Sequence, residues 1–176
     1  MIRSPRFIRL LAACLMLATG LTSCSTLEAP TAPASAAAKA PDLRLPILSG
    51  LLACTAQPYA RTVQEVGPAG ATIRVGGHVL VIPRGALSRS VTITAESPSD
   101  AVASVRFQPE GLRFQRSATL TLDYSNCPAG RLQILKRVAY TTDGLDILSF
   151  LLSRDNLLTM KVSADLEHFS RYAVAW

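Results

Sequence analysis

From about residue 55 onward, apolar and polar residues alternate with a period of two. In "VTITAES", Val91, Ile93 and Ala95 point one way while Thr92, Thr94 and Glu96 point the other. In "ATLTLDYS", Ala118, Leu120, Leu122 and Tyr124 alternate with Thr119, Thr121 and Asp123. "RLQILKRVAY" places Leu132, Ile134, Val138 and Tyr140 on one face, interrupted by Lys136, and "LLTMKVSAD" repeats the theme with Leu158, Met160, Val162 and Ala164. Successive strand side chains point to opposite faces, so this pattern predicts half-buried strands. "HVLVIP" and "LDILSFLLS" are continuously apolar, which predicts strands covered on both faces. Turn signals separate the runs: "VGGH", "PRGAL", "SPSD", "CPAG", "TTDG" and "SRDN". Many short strands at about ten-residue spacing predict an all-β domain over 55–176, an antiparallel β-sandwich.

Upstream the pattern is different. "LPILSGLLAC", residues 45–54, sets Leu45, Leu48 and Leu52 at near-helical spacing. It reads as a short apolar segment, either a helix capping the core or a membrane-surface contact; Pro46 and Gly50 argue against a long helix. Residues 24–44 are rich in Ala, Pro, Ser and Thr. Such a stretch buries too little apolar surface to offset its ordering entropy, so it reads as a flexible tether. Residues 1–23 combine three arginines with the apolar run "LAACLMLATG", the pattern of a signal peptide. That run is shorter than the roughly 20 apolar residues a bilayer-spanning helix needs.

Leu21-Thr22-Ser23-Cys24 resembles the lipobox of bacterial lipoproteins. The resemblance implies cleavage before Cys24, a diacylglyceryl thioether on its sulfur and acylation of the new amino terminus. At about 0.8 kcal/mol per buried methylene, several acyl chains hold far more firmly than one. The expected location is the cell envelope, lipid-anchored to a membrane. Ser25 follows Cys24 where an aspartate is linked to inner-membrane retention, which favours an outer membrane, facing periplasm or surface, in a cell that has two. The alternative is an ordinary secretory signal cleaved elsewhere, as in "PASAAAKA".

Processing alters the charge. Removing Arg3, Arg6 and Arg9 from 18 basic residues leaves 15 against 12 acidic ones, a net of +3 with no cluster. That gives no support to nucleic-acid binding. Of four cysteines, Cys14 leaves with the signal and Cys24 takes the lipid. Cys54 and Cys127 remain, and in an oxidising compartment they are expected to form one disulfide; two free buried thiols are the alternative. Two cysteines and two distant histidines make no zinc site, and neither a metal nor a cofactor is expected.

Two stretches resemble a known family. "GPAGATIRVGGHVLVIPRGAL" is similar to the opening of the ZU-five domain, found in zonula occludens proteins, netrin receptors and ankyrins. There a glycine-rich turn leads through a hairpin to an "IP-x-GAL" corner. "VRFQPEGLRFQRSATLTLDY" resembles the domain's later strand pair. Ala71 departs from the pattern, standing where a second glycine often follows the first. At the corner, Pro83 lacks a donor and ends the strand, and Gly85 can take a positive φ that redirects the chain. The tail "LEHFSRYAVAW" is similar to the end of such domains in bacterial secreted proteins and in the death-domain protein PIDD. In PIDD-like members, His-Phe-Ser marks autoproteolysis. The resemblance implies a scissile bond between Phe169 and Ser170, with Ser170 as nucleophile and His168 as general base. In one regular strand His168 and Ser170 would share a face, continued by Tyr172, Val174 and Trp176, with Phe169 opposite. Asp165 is a candidate to orient His168.

Three functions compete. The first is a lipid-anchored, non-enzymatic interaction module that holds a binding face for an envelope protein or polymer. The second is a self-processing domain acting only on itself. The third is polymer or sugar binding or hydrolysis. Against this third reading, the chain shows no Gly-x-Ser-x-Gly elbow, no nearby paired catalytic carboxylates and no aromatic-rich groove, and aromatics are only 6%.

Overall fold

The computed structural model describes residues 50–128 and 133–176. The expected signal peptide, lipid-bearing Cys24, the tether and the start of the 45–54 segment lie outside them. The described residues form two antiparallel sheets and no α-helix. One sheet is six-stranded, in the order β1 (Ala60–Val66), β4 (Val91–Ser97), β5 (Ser104–Gln108), β11 (Arg171–Ala175), β7 (Arg137–Thr141) and β8 (Ile147–Phe150). The other is five-stranded: β2 (Ala71–Val75), β3 (His78–Ile82), β6 (Arg113–Asp123), β10 (Lys161–His168) and β9 (Ser153–Asn156). This is the expected antiparallel β-sandwich.

Period-two faces build the core. Ile93 and Ala95 of β4, Ala118, Leu120 and Leu122 of β6, and Val162, Ala164 and Leu166 of β10 are all fully buried. Full burial of one such large side chain contributes about 1.5–3 kcal/mol. The register pairs Leu120 with Ala164 and Leu122 with Val162 across β6 and β10, so large and small residues face each other. At the "IP-x-GAL" corner, β3 stops at Ile82 before Pro83, and Gly85 takes φ 78°. The Gly85 N–H donates to Pro68 O at 2.8 Å. A Cβ on Gly70 would stand 2.3 Å from Ile82 O, so the glycine-rich turn and the corner pack backbone to backbone.

Continuous apolar runs misled. "LDILSFLLS" is not one strand covered on both faces: it is split between β8 and the start of β9, the outermost strands of the two sheets. Leu148, Phe150 and Leu152 are 53%, 42% and 94% exposed there. "HVLVIP" buries one face only, since Val81 is exposed. Before β7, Ile134 faces solvent while Lys136 is buried, the reverse of the expected order. Leu158 sits exposed at the turn between β9 and β10.

The described part of the 45–54 segment is extended, not helical. Leu51 bridges Ala175, Ala53 bridges Val102, and Leu52 N–H donates to Val174 O at 2.9 Å. Neighbouring side chains consequently part. Leu52 enters the main core, whereas Leu51 joins a small separate cluster with Ala139, Ala173 and Ala175. Cys54 then forms the expected disulfide with Cys127, 73 residues away. The bond ties this segment to the turn after β6, where Asn126 also donates to Thr55 O at 2.7 Å.

Candidate functional site

The His-Phe-Ser motif does not lie within one strand. His168 ends β10 in the five-stranded sheet, and Arg171 begins β11 in the six-stranded one. Phe169 and Ser170 are the crossing. A second crossing runs beside it, Pro109–Leu112, which carries the chain from β5 to β6. The partners switch sheets together: His168 stands opposite Arg113, and Arg171 opposite Arg106. Sandwich corners are commonly made by strands that bend from one sheet into the other. A register shift between Leu166 and His168 precedes the bend. The parity argument fails here because it assumed an unbroken strand; beyond the corner Tyr172 and Val174 still share a face, which packs into the core, with Trp176 partly buried against it.

Backbone hydrogen bonds fix the crossing. Phe169 N–H donates to Leu112 O at 2.8 Å, and Phe107 N–H donates to Ser170 O at 3.0 Å. Gly111, with φ 74°, donates its N–H to Phe169 O at 2.9 Å. His168 Nδ1 lies 3.3 Å from the same oxygen. The Phe169 ring is fully buried, stacked on Phe107 (centroids 5.1 Å apart) and edge-on to Phe114 (5.0 Å). Ser170 is 5% exposed, and its hydroxyl makes no hydrogen bond to His168.

Around the imidazole, the Tyr172 hydroxyl donates to His168 O at 2.7 Å, and the Tyr140 ring packs edge-on at 5.1 Å. Burial, followed by the charges of Tyr140 and Glu167, holds the Tyr172 phenol protonated far above neutral pH. His168, Tyr140 and Tyr172 line a cavity of about 360 Å³, so the corner opens to solvent on the imidazole side. Asp165 does not orient His168. Its carboxylate accepts from Thr119 at 2.9 Å and pairs with Arg154 at 3.2 Å.

A second feature lies at the sandwich edge formed by β7, β8 and β9. Ile134, Leu135, Phe150 and Leu152 surround a shallow depression of about 780 Å³ that Trp176 also lines. Leu135 and Leu152 are 67% and 94% exposed. Basic side chains frame it. The Arg137 guanidinium lies 3.9 Å over the Phe150 ring and donates to Trp176 O. Lys136 Nζ sits 4.8 Å from the Trp176 ring and donates to Ile134 O, and burial lowers its pKa. Below, Asp155 accepts the Lys136 N–H at 2.8 Å and the Tyr124 hydroxyl at 2.6 Å. Gly50 is tied to this depression, since Trp176 N–H donates to Gly50 O at 3.0 Å.

Sequence reasoning missed this edge because apolarity alone does not separate a covered strand from an exposed one. The available signal was the tripeptide "FLL" next to the turn "SRDN", since hairpin tips lie at the surface. Among the described residues no group of three His, Cys, Asp or Glu side chains could hold a metal. No helix there is long and apolar enough to cross a membrane. No protein-family model matches the chain, and no curated protein is similar to it.

Proposed function

We propose that the protein is a lipid-anchored interaction module of the cell envelope: a ZU-five-like sandwich tethered through Cys24, which binds an envelope partner and catalyses no reaction on it. The observation that supports this most is the apolar edge around Leu135, Phe150 and Leu152. A contiguous exposed apolar patch framed by polar groups is the usual mark of a contact surface. The backbone contact between Gly70 and the Pro83 corner fits the ZU-five resemblance.

Site-specific photocross-linking in cells tests the reading. A photoreactive residue in place of Leu152 is expected to give a discrete adduct with an envelope component that is absent when Leu158 is replaced instead. Incorporation of a labelled fatty acid is expected to disappear in Cys24→Ala. Identical adduct patterns at the two positions, or labelling that survives Cys24→Ala, contradict it.

One observation favours self-processing as a second reading. The carbonyl of Phe169 already accepts from Gly111, with His168 Nδ1 nearby, and donors so placed favour the charge that builds on a tetrahedral oxygen. In this reading Ser170 Oγ attacks the Phe169 carbonyl carbon and passes its proton to the unprotonated nitrogen of His168. The amide C–N bond then breaks as that proton reaches the nitrogen, leaving an ester and a free amine. Water hydrolyses the ester, returning the Ser170 hydroxyl and freeing the Phe169 carboxylate. Denaturing mass spectrometry of the mature chain decides between the readings. Self-processing yields a Ser170–Trp176 peptide that vanishes in Ser170→Ala; a full-length mass in both proteins removes it.

A further inference from the structure

The geometry points to a separate binding site: a cleft of about 410 Å³, at the far end of β6 from the His-Phe-Ser corner, takes an uncharged, hydroxyl-rich ligand, a saccharide, with His78 as a central donor. It shares no lining residue with the apolar edge. Its volume falls within the roughly 300–1,000 Å³ of ligand pockets.

His78 opens β3 directly after the Gly76–Gly77 turn and has the same strand parity as Leu80 and Ile82, so it is drawn inward. Only 6% of the residue is exposed. Its Nδ1 accepts the Asp123 N–H at 3.1 Å. In the neutral ring that bond places the proton on Nε2, and Nε2 has no hydrogen-bond partner among the described residues. His78 lines the cleft, so this N–H can donate to a ligand oxygen bound there. Burial pushes the imidazole pKa down to about 4, so the ring stays neutral at ordinary pH.

The surrounding groups select the ligand's charge. Asp123 accepts the Ser125 N–H at 2.9 Å and pairs with Lys161 at 3.4 Å. Asp100 accepts from the Ser104 hydroxyl at 3.3 Å and is paired with Arg171. Both carboxylates are thus already neutralised and offer little to a metal cation, while their oxygens disfavour an anion. What remains is suited to hydroxyl groups: the Nε2–H donor, the serine hydroxyls and carboxylate lone pairs. At the rim the Tyr59 ring is 55% exposed and held by its hydroxyl's bond to Glu96 at 2.9 Å, offering a flat face to a sugar ring.

The chain has two histidines, so ¹⁵N-histidine NMR of the full mature chain in a sugar-free detergent separates them. Cellobiose and N,N′-diacetylchitobiose, added to millimolar concentration, are the probes, with galacturonate as the anionic comparison. At least one disaccharide is expected to shift the His78 Nε2 signal saturably and leave His168 unmoved. Ser125→Trp, which fills the cleft from an exposed position, is expected to weaken that binding at least tenfold while leaving the His78 signal of the free protein near its original position. A His78 signal unmoved by both disaccharides overturns the proposal. So does an equal or larger response to galacturonate, or binding unaffected by Ser125→Trp. The photocross-linking result at Leu152 is read independently, so failure here leaves the edge reading standing.

Discussion

His78 gives the body a calculable sensitivity to acid. The imidazole is neutral in the fold because desolvation outweighs the nearby Asp123 carboxylate, which favours charging; Lys161 opposes charging further. Folding therefore lowers its pKa from the ordinary 6.5 to about 4. The unfolded chain takes up a proton below 6.5 that the folded chain refuses until about 4. Stability due to this group is complete above pH 6.5 and falls as the pH drops through that window. At 1.36 kcal/mol per unit, a gap of this size corresponds to about 3 kcal/mol. That is a large share of the roughly 5–15 kcal/mol by which domains are stable. Asp123 and Glu96 also lose stability in acid, because both have lowered pKa values. For Asp123, burial pushes upward but Ser125 and Lys161 outweigh it; for Glu96, the hydrogen bonds from Arg106 and Tyr59 dominate. A comparison with His78→Gln removes these shared contributions, since glutamine retains an acceptor for Asp123 N–H and does not titrate. The assay is urea unfolding followed by circular dichroism at steps from pH 7 to pH 4. With m of about 1–3 kcal/mol/M, the wild-type midpoint is expected to fall about 1–3 M further than that of the variant over this range. Midpoints that decline in parallel refute the reasoning, because the imidazole would then be solvated or paired in the fold.

Three more outcomes follow from packing. Phe169→Ala removes a fully buried ring from between Phe107 and Phe114 and is expected to cost about 3–5 kcal/mol in urea unfolding, whereas Phe169→Leu costs much less. Reducing Cys54–Cys127 opens a loop of 73 residues and is expected to cost about 4 kcal/mol in the loop-entropy account, measured as the midpoint difference with and without reductant. Gly70→Ala forces a side chain against Ile82 O at φ 77° and is expected to destabilise by more than about 1 kcal/mol, whereas Ala71→Gly, outside that contact, costs less.

The sequence disclosed those parts of the fold where one face alone is apolar. Strands β4, β6 and β10 bury the residues their alternation selects, because only one parity can meet the opposite sheet. Wherever both parities are apolar the pattern loses its meaning, and topology decides; β8 and β9 end their sheets, so Leu148 and Leu152 face outward. Lys136 was illegible for a different reason: its burial depends on Tyr124, Asp155 and Trp176 converging from three distant parts of the chain. The corner at Phe169–Ser170 left no local mark, since the bend arises from pairing with Pro109–Leu112. His78, by contrast, is legible in the sequence. Its parity with Leu80 and Ile82 placed a polar ring on the core side, which is itself a signal.

In the six-stranded sheet, β5 and β7 never touch; both pair with β11, which follows them in the chain. A growing polypeptide that has made everything up to Ser170 therefore holds two half-sheets with raw, sticky margins. Residues 171–175 act as the keystone, and every earlier stage of synthesis needs shelter from neighbours that could supply a strand in their place.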